Sequence, residues 1–290
     1  MNNLKQSLKE RLRTLARERN LTFAEIWHNL ILERFLARLC KSKYKTNFIL
    51  KGGTLLARYI PIGRETQDLD FLVERLANTR EFFIEVFDHI CGVHIEDGFT
   101  FKNVKVGQLV HPHMNYTGIE VLLLAQLGDP QTYIQIDIGF GDVVDAIDYH
   151  LELTATPKGP IFESKIQVRS YPKEFIFAEK LETIVYRGSG NTRMKDFHDL
   201  YSLVSLKGCL DPIYVEKVVV KVFNHRQASL AQLPLSLDAE SMQILQPLWQ
   251  DYQRRVSSKQ AQISPLPESL VKIISAINNW LVYNTQLCKK

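Results

Sequence analysis

Cysteine is scarce in these 290 residues: Cys40, Cys91, Cys209 and Cys288 lie far apart, with neither the CxxC spacing of a metal knuckle nor the density of a disulfide scaffold. They read as the reduced thiols of a cytoplasmic protein. Glycine (14) and proline (11) are too few for a collagen-like or linker-dominated chain. No run of about 18 apolar residues occurs, and the richest stretch, Val121 to Ala125, is far too short to cross a bilayer as a helix, so no membrane partner is expected. The first twenty residues mix charges with leucines and lack the unbroken apolar core of a secretory signal, so export is not expected either. Neither sign of charge dominates. Lys and Arg number 36 against 32 Asp and Glu, a net +4 that permits nucleic-acid binding without demanding it.

What is present is a hydrophobic content of 45% and a charged content of 23%, enough for a buried core and a solvated surface. At roughly 100–200 residues per domain, the length favours two domains or one large core with a helical extension. Apolar residues three and four apart from Leu4 to about Ser42 predict two helices broken near Asn20, the second opened by Thr22 and Glu25 at capping-box spacing. Asn47 to Leu50 reads as strand, Lys51 to Thr54 as a glycine turn, Leu55 to Tyr59 as helix, Thr66 to Val73 as a second strand and Thr79 to Ile90 as another helix. From His94 to Arg169 the period falls to two, in Phe99 to Val104, Tyr133 to Phe140 and Ile166 to Arg169. Ile119 to Leu124 is more evenly apolar, as a central strand would be. Thr156 to Pro160 is turn-rich and expected near a sheet edge. Helical spacing returns from Ser170, with breaks near Pro234 and Pro265. The expected organisation is a helical segment over 1–45, an α/β core with a mixed, largely antiparallel sheet over 46–169, and a helical domain over 170–290.

The sharpest chemical feature is Asp68-Leu69-Asp70, because side chains two apart on a strand share a face. Two converging carboxylates repel unless a cation sits between them, and hard divalent ions take such oxygen ligands. A solvated strand end explains the same pattern. In Tyr133 to Phe140, Gln135, Asp137 and Gly139 share one face and the isoleucines the other, so Asp137 either needs a partner, lines a cleft, or sits on an exposed edge face. Gly52-Gly53-Thr54, between a strand and a helix start, suits a phosphate, through free amides, the absence of a Cβ and the Thr54 hydroxyl; it also suits a plain tight turn. It is not a P-loop, since GxxxxGK[ST] is missing.

These pieces together resemble the polymerase-β-like nucleotidyltransferase superfamily, with its glycine turn, DxD strand and third aspartate on a later strand. Within it, Lys51-Gly52-Gly53-Thr54, Arg64 to Phe71, Glu179-Lys180-Leu181-Glu182 and Arg193 to Tyr201 are similar to the AbiEii toxin family, over about Phe48 to Tyr201. The resemblance implies an α/β nucleotidyltransferase-type mixed sheet core with N-terminal helices and a C-terminal helical domain. It also implies a toxin of a toxin-antitoxin or phage-defence system, with a cognate antitoxin as partner. Such an enzyme moves a nucleoside monophosphate from an NTP to an acceptor hydroxyl, and some members modify tRNA 3′ ends. By the same resemblance Asp68 and Asp70 would hold magnesium (Mg2+) on the triphosphate, and Asp137 would complete the site or help deprotonate the attacking hydroxyl. Lys180 and Asp196 match further functional positions, Lys51 a basic one, and Thr66 stands where the family has a small hydroxyl residue. A small-molecule acceptor, as in antibiotic nucleotidyltransferases, and a non-catalytic nucleotide-binding protein remain alternatives.

Lys173, Lys180 and Arg187, spaced by sevens, predict a basic stripe beside the Ala178, Leu181 and Val185 face, either a solvated face or a receiver of triphosphate. Asp196 and Asp199 are helix neighbours whose charge Arg193 and Lys195 offset, and Asp196 is suited to orient Lys180 or Arg193. His198 between them reads as a packed or exposed helix residue rather than a base. His111-Pro112-His113 lacks the companion ligands of a zinc site. Tyr133, Phe140 and Tyr171 are each able to stack a base or to fill the core.

Overall fold

Helix α1 (Asn2–Glu18) and helix α2 (Phe23–Lys41) meet at a capping box. Thr22 Oγ1 accepts from the Glu25 amide at 3.2 Å, and Glu25 Oε2 accepts from the Thr22 amide at 2.7 Å. Two amides at the helix start are thereby satisfied. Thr22→Ala is expected to lower stability by about 1 kcal/mol in urea unfolding, and an unchanged midpoint would count against this cap. Helix α2 is buried along most of its length, Glu33, Arg34 and Arg38 included. Arg38 donates twice to Asp97 at 2.8 Å and once to the Phe99 carbonyl at 2.6 Å. Glu33 accepts from Arg58 at 2.8 Å and from the Thr154 amide and hydroxyl at 2.9 Å. Charges are tolerated at this depth because each is paired.

The computed structural model describes residues 2–109, 117–257 and 265–288. By internal contacts one unit comprises Met1–Arg58, Glu65–Asp142 and Ala146–Ser170, and a second comprises Tyr59–Arg64, Val143–Asp145 and Tyr171–Lys290. The two opening helices thus belong with the sheet.

That sheet has seven strands: β1 (Phe48–Lys51), β2 (Leu69–Val73), β3 (Thr100–Leu109), β4 (Gly118–Gln126), β5 (Gln131–Phe140), β6 (Ile147–Glu152) and, later in the chain, β9 (Lys165–Ser170). Their order is β3-β4-β5-β2-β1-β9-β6, parallel at β2/β5 and β1/β9 and antiparallel elsewhere. The turn-rich Thr156 to Pro160 segment forms a hairpin apart from it, β7 (Ala155–Thr156) with β8 (Gly159–Pro160). Helix α3 (Gly52–Tyr59) follows β1, and helix α4 (Arg80–Cys91) follows β2. The inner face of the sheet carries Phe48, Phe71, Ile136 and Ile138, all buried. Phe48 packs edge-on against Phe71, Phe83 and Phe87 at 5.3–6.5 Å, and Phe87 stacks on Phe35 of α2 at 5.9 Å. With strand period two, the residues between them face the other way.

The second unit is helical: α5 (Lys173–Arg187), α6 (Met194–Ser205), α7 (Pro212–His225), α8 (Ala239–Ser257) and α9 (Leu270–Asn284). Helix α5 packs on α6 and α7, and α6 packs on α9. All four cysteines are free, and among the described residues no helix is long and apolar enough to cross a membrane.

Candidate functional site

The outer face of the sheet carries a row of charged side chains set by strand register. Lys51 of β1 lies opposite Asp70 of β2, Asp70 opposite Asp137 of β5, and Asp137 opposite Glu120 of β4. In-register partners lie about 5 Å apart and point to one face, so three carboxylates and an ammonium stand side by side. Asp68, two residues before Asp70 and just ahead of the strand, adds its charge to the same field: it and Asp70 both act on Asp137. Burial first, then repulsion from Asp70, Asp68 and Glu120, push the Asp137 carboxyl up to about 6, against the hydrogen bond from the Gln135 amide, which favours its charge.

Glycine at position 52 is dictated by this row. Gly52 has φ +72°, and a Cβ there would stand 1.9 Å from Asp70 Oδ2. The Asp70 carboxylate therefore rests against the backbone at the start of α3, where unpaired amides and the helix dipole favour an anion. The Thr54 hydroxyl, read from sequence as a phosphate donor, instead donates to the Asp68 carbonyl at 2.6 Å and so holds the DxD segment in place. Gly53 follows in the same first turn, and Thr66 is half-buried two residues ahead of Asp68.

Lys51 Nζ lies 2.9 Å from Asp142 Oδ2, whose side chain is 1% exposed. Asp142 and Glu120 escape a reading of the sequence. Asp142 is beyond the end of a strand, and Glu120 sits in a stretch that looks apolar throughout. The alternation of burial along β4 reveals it, with Ile119, Val121 and Leu123 inward and Glu120, Leu122 and Leu124 outward.

Among the described residues no three His, Cys, Asp or Glu side chains stand close enough to hold a metal as they lie. The donor set nonetheless suits a hard cation. Asp68, Asp70 and Asp137 offer oxygen ligands, and a bound cation would offset the repulsion that Asp70 and Asp68 add to burial in raising the Asp137 carboxyl.

The second unit holds a separate, buried ionic cluster. Lys180 Nζ lies 2.7 Å from Asp196 Oδ1 and 2.8 Å from Asp199 Oδ2. Arg64 Nε and Nη2 both donate to Asp199 at 2.7 Å, and Arg193 Nε donates to Asp196 Oδ2 at 3.0 Å. Burial alone would raise both aspartates, but Lys180 with Arg193 holds Asp196 below the usual carboxylate range, and Lys180 with Arg64 holds Asp199 below it too. Burial would likewise lower Lys180, and the two aspartates outweigh it. The basic stripe expected from the sevenfold spacing does not form. Lys180 turns into the α5–α6 contact, while Lys173 pairs with its neighbour Glu174 at 3.3 Å. Helical period groups residues on a face without saying whether that face is covered.

His198 is packed, bonded through Nδ1 to the Tyr252 hydroxyl at 2.7 Å, and burial first, then nearby Arg64 and Lys180, push it down to about 4. A histidine held neutral in the folded state stabilises the fold above its unfolded value of 6.5 and loses that contribution as pH falls towards 4. Over that window the loss is about 3 kcal/mol at 1.36 kcal/mol per unit. Thermal midpoints measured from pH 7 to 4.5 should fall more steeply for the wild type than for His198→Gln, and parallel curves would remove His198 from the cause. His111-Pro112-His113 lies outside the described residues.

Residues 34–270 match the model of a family described as nucleotidyl transferase AbiEii toxin, type IV toxin-antitoxin system. No curated protein matches the chain. Among solved structures, a candidate nucleotidyltransferase from Helicobacter pylori is similar at 14% identity and a TM-score of 0.43, over 90% of this chain and 94% of that one. JHP933 from Helicobacter pylori is similar at 13% identity and a TM-score of 0.44, over 90% and 91%.

Proposed function

The chain belongs to the AbiEii nucleotidyl transferase toxin family of type IV toxin-antitoxin systems, and from that premise we propose that it transfers a nucleoside monophosphate from an NTP to the 3′ hydroxyl of an RNA, tRNA foremost, in the cytoplasm. The observation that carries the site is the register of Asp70 with Asp137 on neighbouring parallel strands, with Asp68 in the same electrostatic field. In this reading the acceptor oxygen bonds to the α-phosphorus, the bond to the bridging oxygen of the leaving pyrophosphate breaks, and the hydroxyl proton passes to the acid row. Asp68, Asp70 and Asp137 would hold Mg2+, which when bound would supply positive charge to the triphosphate. Lys51 and the Gly52–Gly53 turn are assigned to the triphosphate, with Asp142 holding the lysine in place. Thr54 acts through Asp68. Thr66, Lys180 and Asp196 are carried over from the family pattern, and the ion pairs of Lys180 and Asp196 make them a rigid pair.

Purified protein is expected to incorporate label from an α-labelled NTP into tRNA with Mg2+ and to stop when the ion is chelated. Incorporation that persists under chelation would remove the cation from the reading. Label that enters no RNA but enters a small hydroxylated acceptor would replace the acceptor. Binding of NTP without any transfer would leave a nucleotide-binding protein.

A further inference from the structure

The outer face of the sheet continues past the acid row. Along β5 the side chains that share a face with Asp137 are Gln135 and Tyr133; along β4, Leu122 and Leu124 follow Glu120. On β3 the register partners of these leucines are Lys105 and Lys102. The two lysines are three residues apart, an odd separation that in a regular strand would send them to opposite faces. They share a face here because the register shifts between Asn103 and Lys105, leaving Val104 as the extra residue of a bulge. Bulges re-aim side chains and recur beside active sites.

The three aromatics left open by the sequence now separate. Phe140 is 8% exposed and Tyr171 0%, both in the core, whereas Tyr133 is 57% exposed. Tyr133 lies opposite Leu124, which lies opposite Lys102, and Gln135 lies opposite Leu122, which lies opposite Lys105. Both lysines are exposed, and among the described residues neither is in an ion pair. The face therefore offers an exposed ring on a floor of half-open leucines, two ammonium groups along one margin, and the acid row at one end.

A ring for a base beside cations for a backbone is the make-up of a single-stranded nucleic-acid platform. We propose that the β3–β5 outer face binds the unpaired end of the RNA acceptor, with Tyr133 stacking a base and Lys102 and Lys105 contacting its phosphates. This rests on the RNA-acceptor reading above. Tyr133 stands four residues from Asp137, about 13 Å along the strand at 3.3 Å per residue, so the base it stacks lies upstream of the reacting nucleotide. A small acceptor without phosphates has no use for the paired lysines, and the continuity with the acid row ties the platform to the transfer reaction.

The test compares full-length wild type with Tyr133→Ala, Tyr133→Phe and the double variant Lys102→Ala/Lys105→Ala, each checked for an unchanged melting temperature. A labelled RNA with an unpaired 3′ end is titrated at several salt concentrations, and transfer kinetics follow on the same RNA. Tyr133→Ala is expected to weaken binding roughly tenfold, and Tyr133→Phe to retain it. The double lysine variant should weaken binding and lower the slope of log affinity against log salt by about 1.4, or 0.7 for each phosphate no longer neutralised. The losses should fall on the KM for RNA. A wild type that modifies RNA together with variants that bind it equally well overturns the platform and leaves the RNA reading standing. A wild type that neither binds nor modifies RNA overturns both. Variants that keep RNA binding and lose the antitoxin assign the face to a protein and overturn the proposal.

Discussion

Gly52→Ala is expected to lower nucleotidyl transfer by about a hundredfold or more while leaving the protein folded. The new methyl would stand 1.9 Å from Asp70 Oδ2, and Asp70 Cγ and Cβ lie at 2.5 and 2.7 Å, so the carboxylate has to move. Misplacement of a reacting group by about 1 Å is enough for a loss of that size. The backbone at φ +72° adds strain to any residue with a Cβ. Stability should fall by only about 1–2 kcal/mol, because strain at one left-handed position is of that order and α3 and β2 keep their own packing. Initial rates at saturating NTP and RNA, with circular dichroism as the control, decide the matter. Near-normal rates would mean that Asp70 tolerates displacement and that its approach to the turn is incidental. Gly188, by contrast, has nothing within 4 Å of its Cβ position, so Gly188→Ala tests the effect of positive φ without the clash.

The contrast between these glycines shows where the sequence speaks and where it stops. Asp70 and Asp137 are legible because strand period two is local: it sets Asp70 on the face opposite Leu69 and Phe71, and Asp137 with Gln135, without knowledge of neighbouring strands, whereas Asp68 falls just ahead of β2. That β2 lies between β1 and β5 is not local, and only this order brings Lys51, Asp70, Asp137 and Glu120 into one row. Gly52 looks like a phosphate turn from its flanks, while its tight constraint comes from a carboxylate eighteen positions on. The bulge at Val104 leaves no mark in composition, yet it decides that Lys102 and Lys105 share a face. The helices are legible for the opposite reason. Their period and the Thr22–Glu25 cap are local, so α1, α2, α4 and α5 fall close to where spacing predicts them. What spacing withholds is which face is covered, and Lys180 is the case where that matters most.

Lys180→Met is expected to destabilise the protein by about 3–5 kcal/mol, the usual consequence of removing one partner from a buried charge network. Methionine matches the volume of the stem, so the loss reports charge rather than packing. Asp199 keeps Arg64 and Asp196 keeps Arg193, but both lose the ammonium they share, and their like charges then face each other directly. The pH dependence should separate this from a packing defect. Both carboxyls are held below the usual value in the wild type, so their contribution is present above about pH 4 and is lost only in stronger acid. Without Lys180 they titrate nearer their ordinary range, and the acid limb of the stability curve should move to higher pH. A double-mutant cycle of Lys180→Met with Asp196→Asn should give a coupling of about 2 kcal/mol, since the two side chains touch. Coupling near zero in urea unfolding would mean that Lys180 acts outside this cluster. If instead the cycle couples strongly and the folded variant still binds NTP normally, Lys180 is a positioning residue that fixes α5 against α6, and it does not touch the nucleotide.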